Sequence, residues 1–403
     1  MKHFALILLI LFAFACKQDA KINMLETGTY RALLKVNNTE DLPFNFEVVS
    51  ENKLNIFNAE EVIEVDDITY KNDSVYIKMP VFEGYLVAKI ENNKLTGSFV
   101  KAGLNRVMVF SAEKNANRFN TSEKAKHDVS GHWETVFSPD SEEDTYIAKG
   151  IFSQKGNVVT GTFRTTTGDY RYLEGVLDGE ELKLSTFDGA HAFLFIATVT
   201  DSSMVGTFFS GNHFQEPFIA KRNDTYELPD AHSLTFLKEG YDKVEFSFPD
   251  ENKTMVSLKD APFKDKVVLV QIMGTWCPNC LDESKFYSEF YKNNKNKDIE
   301  IIALAFEYVK TKESAFNNIR RLKNKTGITY PVLLAQYGSS SKVKAQEKLP
   351  MLNHVLSYPT TIFIDKKGAV RKIHTGFNGP ATGDKYVAFK EAFEVFVNEL
   401  LSE

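Results

Sequence analysis

The sequence predicts a multi-domain chain: an all-β N-terminal half, built as a duplicated antiparallel barrel or sandwich, and an α/β C-terminal domain. Three observations carry that reading. From about Gly28 to Arg222 short segments alternate apolar and polar residues, as in Asn45-Phe46-Glu47-Val48-Val49 and Ser74-Val75-Tyr76-Ile77-Lys78-Met79, with almost no helical periodicity. Turn-forming stretches such as Glu91-Asn92-Asn93-Lys94, Gln154-Lys155-Gly156-Asn157 and Leu177-Asp178-Gly179-Glu180 separate them at short intervals. Beyond residue 236 the pattern changes to largely apolar runs, Val267 to Ile272 and Ile299 to Ala305, which alternate with helical spacing as buried parallel strands and crossover helices do.

At the N-terminus, Met1-Lys2-His3 precede an uninterrupted apolar run from Phe4 to Ala15. It is too short to span a bilayer comfortably and reads as a signal peptide over residues 1–15. Cys16 follows Ala13-Phe14-Ala15, which resembles the lipobox of bacterial lipoproteins. That resemblance implies cleavage before Cys16, lipidation of its sulfur and a tether over residues 16–27 that holds the protein to a membrane. The motif departs at Ala13, where Leu is usual, and at bulky Phe14; an ordinary secretory signal with an incidental cysteine is the alternative.

The β-rich half carries an internal repeat. Gly28-Thr29-Tyr30 recurs as Gly131-His132-Trp133, Val81-Phe82-Glu83-Gly84 as Thr186-Phe187-Asp188-Gly189, and Leu95-Thr96-Gly97-Ser98-Phe99 as Met204-Val205-Gly206-Thr207-Phe208. The order is the same in both copies, so the expected organisation is repeat 1 over 28–115, a linker over 116–130, repeat 2 over 131–222 and a polar linker over 223–235. Trp133, Tyr170, Tyr172, His191 and His213 could line a ligand pocket; the favoured reading is that the aromatics fill a barrel and the histidines lie on its surface. A spacer or a partner-docking unit is the modest expectation for this half.

Composition is that of ordinary globular domains, with 43% hydrophobic residues, 25% charged residues and a net charge of −6. No basic patch points to nucleic acid, and that class is set aside. There are three cysteines in 403 residues. A lipid on Cys16 would leave only Cys277 and Cys280, one anchor and one pair, which suits a compartment where stray thiols are a liability.

The chemistry concentrates where the run from Val267 stops at Gly274 and Trp276-Cys277-Pro278-Asn279-Cys280 opens a helix with apolar positions at Leu281, Phe286, Tyr287 and Phe290. A cysteine at a helix N-terminus faces unpaired N–H groups and the positive end of the macrodipole, which favours a thiolate nucleophile. A second cysteine one turn on can attack the resulting mixed disulfide. Pro278 suits the first helical position. A zinc site would need further ligands at ordered spacing, and a structural disulfide closing so short a loop constrains the unfolded chain little, so redox chemistry is favoured.

Residues 236–403 resemble the thioredoxin superfamily, and within it the TlpA/ResA group of extracytoplasmic thiol–disulfide oxidoreductases. The matching stretches are Lys266 to Val270, Gly274-Thr275-Trp276-Cys277-Pro278-Asn279-Cys280 with Glu283, Tyr358-Pro359-Thr360-Thr361-Ile362-Phe363-Ile364-Asp365, Lys367-Gly368 and Thr375-Gly376-Phe377. The resemblance implies that Pro359 is a cis-proline facing the sulfurs, and that Trp276, Pro278, Tyr358 and Pro359 contact substrate. Thioredoxins place a buried Asp beneath the second cysteine; the aligned residue here is Gln271, which cannot titrate. Glu283 is assigned as proton acceptor or selectivity residue, the alternative being a solvated first-turn carboxylate.

Around these, Phe246 to Lys253 with Val256 to Leu258 forms a hairpin, Thr329 to Leu334 a strand, and Lys312 to Asn324, Gln346 to Val355 and Tyr386 to Leu401 helices. The implied activity is reduction of protein disulfides at the cell envelope, facing the periplasm, by a Cys277 thiolate resolved by Cys280. Electrons would come from a membrane thiol reductant, with no organic cofactor and no metal. The rivals are a peroxiredoxin-like thiol peroxidase and a β-domain ligand- or partner-binding lipoprotein with an accessory redox domain.

Overall fold

A computed structural model describes residues 23–403; the signal peptide over 1–15 and Cys16 lie outside the described residues. The first barrel holds β1 (Gly28–Lys35), β2 (Asp41–Ser50), β3 (Lys53–Asn58), β4 (Glu61–Val65), β5 (Asp67–Lys71), β6 (Ser74–Lys78), β7 (Tyr85–Glu91), β8 (Lys94–Lys101) and β9 (Arg106–Lys114). They pair antiparallel in the order β4-β3-β2-β1-β9-β8-β7-β6-β5. β4 and β5 end that order at opposite edges, yet only Asp66 separates them in the chain, so the sheet curls until its edges almost meet. Alternate residues point inward: Tyr30, Ala32 and Leu34 of β1 are buried, and Tyr30 stacks on Phe46 with ring centroids 5.2 Å apart.

The second barrel holds β10 (Gly131–Phe137), β11 (Tyr146–Lys155), β12 (Val158–Thr165), β13 (Gly168–Asp169), β14 (Leu173–Asp178), β15 (Glu181–Phe187), β16 (Ala192–Val199), β17 (Ser203–Ser210) and β18 (Phe214–Arg222). The order is β11-β10-β18-β17-β16-β15-β14-β12, and β11 pairs with β12, so eight strands close a ring with the short β13 as an appendage of β12. Trp133, Phe137, Phe163, Phe195, Phe208 and Phe218 fill it, and buried Trp133 Nε1 donates to Val129 O at 2.9 Å. Trp133 and half-buried Tyr170 are therefore barrel filling, whereas His191 and His213 lie elsewhere.

The repeated motifs fall at matching points of the two sheets. In β8 a side chain on Gly97 would come within 1.9 Å of Val87 O, and in β17 one on Gly206 within 2.3 Å of Ile196 O. Both glycines stand where the preceding strand approaches too closely for any Cβ.

The C-terminal domain opens with a hairpin of β19 (Ser247–Pro249) and β20 (Met255–Ser257). It continues through β21 (Val267–Met273), α1 (Pro278–Asn293), β22 (Ile299–Phe306), α2 (Lys312–Thr326), β23 (Val332–Gln336), α3 (Lys342–Lys348), β24 (Thr360–Ile364), β25 (Val370–Thr375) and α4 (Asp384–Ser402). The sheet runs β23-β22-β21-β24-β25, parallel from β21 to β23 and antiparallel beyond, which is a thioredoxin-like α/β fold. Helices α1 and α4 meet through Phe286, Phe290, Phe389 and Phe393.

Several boundaries differ from expectation. The helix expected over Gln346 to Val355 lies at Lys342–Lys348, because Ser341 caps it through Lys344 N–H and Pro350 prevents continuation. The strand expected from Thr329 begins at Val332, after Pro331. The early strand is Ser247–Pro249 rather than starting at Phe246.

The stretch over 223–235 is also tied down: Thr375 N donates to Ala231 O at 3.0 Å and Thr375 Oγ1 to Thr235 Oγ1 at 2.8 Å. Among the described residues no helix is long and apolar enough to cross a membrane.

Candidate functional site

Strand β21 is buried at every position and delivers Cys277 to the start of α1. Cys277 is the N-cap of that helix: its Sγ accepts from Cys280 N–H at 3.2 Å, so the sulfur takes the place an oxygen has in ordinary caps. Charge on that sulfur is met by the N–H groups of the first turn. Cys277 Sγ also donates to Tyr358 O at 3.4 Å, and the Tyr358–Pro359 bond is cis. Both cysteines are free thiols, Cys277 7% exposed and Cys280 fully buried. Burial pushes the Cys280 thiol well above its ordinary range, helped by its hydrogen bond with Cys277 and by the charge of Glu283. Pro278 is buried at the first helical position.

Beneath the dithiol lies a closed polar cluster. Glu283 is fully buried, so the solvated-carboxylate alternative does not hold. Its Oε2 accepts from Gln271 Nε2 at 2.8 Å; its Oε1 accepts from Thr361 Oγ1 at 3.0 Å and Tyr287 OH at 3.3 Å. Burial pushes its carboxyl up to about 7, with those three hydrogen bonds opposing. Gln271 thus serves as a donor to the acid that stands in α1.

A second buried acid was not foreseen. Glu307, just past β22, accepts from Thr275 N at 2.8 Å and Thr275 Oγ1 at 2.7 Å, and burial pushes it up to about 7. Its place beyond the C-terminal end of the parallel strand next to β21 was the available signal, since sites gather at those ends. The Thr275 hydroxyl is committed to Glu307 and does not serve Cys277 as a peroxide pocket would require. Trp276 folds over this end of the sheet, Nε1 donating to Phe306 O at 2.9 Å, with its ring 5.6 Å from Tyr358.

Glu283, like Glu307, gives stability a dependence on pH. Its ordinary value is 4.5 and its folded value about 7, so between these the folded state holds a proton that the unfolded state releases. The contribution of Glu283 is therefore fully present below about pH 4.5 and is lost as pH rises through 7, by about 3 kcal/mol for a fully developed shift of this size. E283Q is expected to be more stable than the parent at pH 8 by an amount of that order, with little difference at pH 4.5. Denaturant titrations at both pH values check this; an unchanged pH slope would contradict it.

The second barrel reaches this site. The hairpin around Thr165 to Tyr172 lies between α1 and the loops of the redox domain: Asn279 Nδ2 donates to Asp169 O at 3.1 Å, Ser357 Oγ to Thr167 O at 2.8 Å, and Gly379 N to Asp169 Oδ2 at 2.6 Å. Arg171, in the left-handed region at φ 62° and steadied by its N–H bond to Asp169 Oδ1, is buried and ion-paired with both Glu61 and Asp282. Asp188 lies 3.7 Å from Arg171 Nε. Sequence reasoning missed this node, whose members lie in both barrels and α1.

The family profile described as Redoxin matches residues 238–388. "Thioredoxin-like protein YneN" of Bacillus subtilis (strain 168) is 28% identical over 140 residues, 35% of this chain and 73% of that protein. "Thiol-disulfide oxidoreductase ResA" of Bacillus cereus (strain ATCC 10987 / NRS 248) is 30% identical over 134 residues, 33% of this chain and 68% of that protein. Among solved structures, a thiol-disulfide oxidoreductase from Bacteroides fragilis NCTC 9343 is 19% identical and covers 37% of this chain and 99% of its own, with a TM-score of 0.27.

Proposed function

The chain belongs, through its C-terminal part, to the TlpA/ResA-like thiol–disulfide oxidoreductases of the thioredoxin superfamily, and on that premise we propose that it reduces disulfides of proteins outside the cytoplasm. The observation that carries the reading is Cys277 Sγ seated on the N-terminus of α1 beside the Tyr358 carbonyl. The Cys277 thiolate attacks a substrate disulfide; a bond forms between Cys277 and one half, and the other half leaves as a thiolate that takes up a proton. Cys280 loses its proton to the buried carboxylate of Glu283 and attacks Cys277 Sγ. The Cys277–Cys280 disulfide forms and the second thiol departs. The substrate gains two electrons and two protons, and the dithiol loses them. A membrane thiol reductant restores the dithiol.

Trp276, Pro278, Tyr358 and Pro359 form the contact surface for the substrate backbone. The apolar run before Cys16, and a cysteine inventory of one anchor and one pair, support a lipid-held protein facing the periplasm. The thiol-peroxidase reading is not favoured, because Thr275 is bound to Glu307.

Equilibrating the protein in graded thiol buffers and trapping free thiols tests the direction. A potential near that of thioredoxin, about −270 mV, is expected; one near about −120 mV would make the protein an oxidant that donates disulfides.

A further inference from the structure

Where the β8–β9 hairpin, two loops of the second barrel and the redox domain meet, they leave a cleft of about 260 Å³. Its walls carry Lys101 and Arg106 from the first barrel, His191 and His213 from the second, and Trp276 and Tyr308 from the redox domain. Among the described residues no Asp or Glu lines it. Lys101 Nζ gives one hydrogen bond, to Ala190 O at 2.8 Å, although it has three protons to donate. The nearby carboxylates already have partners: Asp188 faces Arg171 and the wall residue His191, and Glu83 accepts from the wall residue Tyr308 OH at 3.3 Å.

Lys101 and Arg106, two cations in a partly desolvated recess with no carboxylate in its described lining, raise the free energy of the empty site, and an anion entering it lowers that energy. Burial holds Lys101 down to about 8 against the opposing charges of Asp188 and Glu83, and burial with the charges of Arg106 and Lys101 holds His213 down to about 4, so that His213 enters as a neutral hydrogen-bonding group near pH 7.

The cleft stands one aromatic ring from the sulfurs. Trp276 has Tyr308 on its cleft side at 6.0 Å between ring centroids and Tyr358, whose carbonyl receives Cys277, at 5.6 Å.

We infer that this cleft binds a carboxylate of the incoming disulfide, so that the preferred substrates are acidic, peptide-like disulfides. The inference rests on the exchange reaction proposed above. The anion must be covalently continuous with a sulfur at Cys277 and must reach around the indole, which calls for several bonds between carboxylate and sulfur. Peptide and peptide-like thiols have that spacing; short amino or hydroxyalkyl disulfides lack the charge.

The test uses the full chain with its dithiol pre-reduced, mixed with oxidised glutathione, with neutral bis(2-hydroxyethyl) disulfide or with cationic cystamine. Second-order rate constants are followed by thiol trapping. The ratio of the oxidised-glutathione rate to the hydroxyethyl-disulfide rate is expected to fall on the order of tenfold in Lys101→Met, and again in Arg106→Met. Lys101→Arg should restore most of it, which a loss of folding would not allow. A peptide disulfide flanked by Glu, run beside oxidised glutathione, shows whether the carboxylate arrives on a peptide chain or a small molecule. Reaction with all three small disulfides at rates indifferent to charge, or a ratio unmoved by the substitutions, overturns the carboxylate site alone. No reaction with any of them overturns the exchange reaction itself.

Discussion

Cys280→Ser is expected to stop the reaction halfway, converting the protein into one that holds its substrate covalently. Cys277 keeps its place as the N-cap of α1, and the backbone N–H at position 280 that points at its sulfur is untouched by the substitution. The first exchange therefore proceeds, and no thiol remains to release the adduct. Mass spectrometry under non-reducing conditions should show a stable mixed disulfide on Cys277. Cys277→Ser should show none and should lose turnover by roughly a thousandfold or more, the scale of losing a nucleophile. An adduct on Cys280 in the Cys277→Ser chain would reverse the assigned roles, and undiminished turnover in either variant would refute the two-step exchange.

Arg171→Met is expected to cost about 3–5 kcal/mol, because it leaves buried carboxylates without their cation. Glu61 comes from the first barrel, Arg171 and Asp188 from the second and Asp282 from α1, so the loss falls on the junction of three units. Thermal unfolding followed by calorimetry should change from one transition toward two, and the chain near residues 223–235 should become more sensitive to protease. Adding Asp282→Asn to Arg171→Met should recover part of the loss, which a double-mutant cycle would quantify. A cost below about 1 kcal/mol would mean that water reaches the node and screens it.

The sequence made local features readable and left the assembly hidden. The alternation in β1 and β10, the turn residues between strands and the apolar run of β21 each reflect a period or a dihedral preference contained in a few residues. The Trp276-to-Cys280 motif and Tyr358-Pro359 were visible as motifs, and the fold brings them together across β21 and β24. What could not be read depends on partners far away in the chain. Glu283 sits in the second turn of α1, and nothing local distinguishes it from a solvated acid; only Thr361 and Gln271 closing over it make it a buried one. Arg171 and Asp282 are 111 positions apart, in different units, and neither carries a local signal of the other. The α3 boundary departs from expectation because the apolar spacing beyond Leu349 belongs to a segment pinned by Leu352 to Leu237, not to a helix.

The hairpin from Thr165 to Tyr172 also bears on how often collisions succeed. One flank of the dithiol is already occupied by the protein's own backbone, and Cys277 shows only 7% of its surface. Productive encounters are thereby confined to a narrow solid angle, and orientational restriction of this kind is what lowers association rates between large bodies to about 10⁵–10⁷ M⁻¹s⁻¹. A disulfide embedded in a rigid surface loses most of its collisions to misalignment, while one on a short flexible segment turns into line within a single encounter. On the exchange reaction proposed above, the barrel is therefore expected to act as a kinetic filter, favouring disulfides whose sulfurs turn freely over those held rigidly.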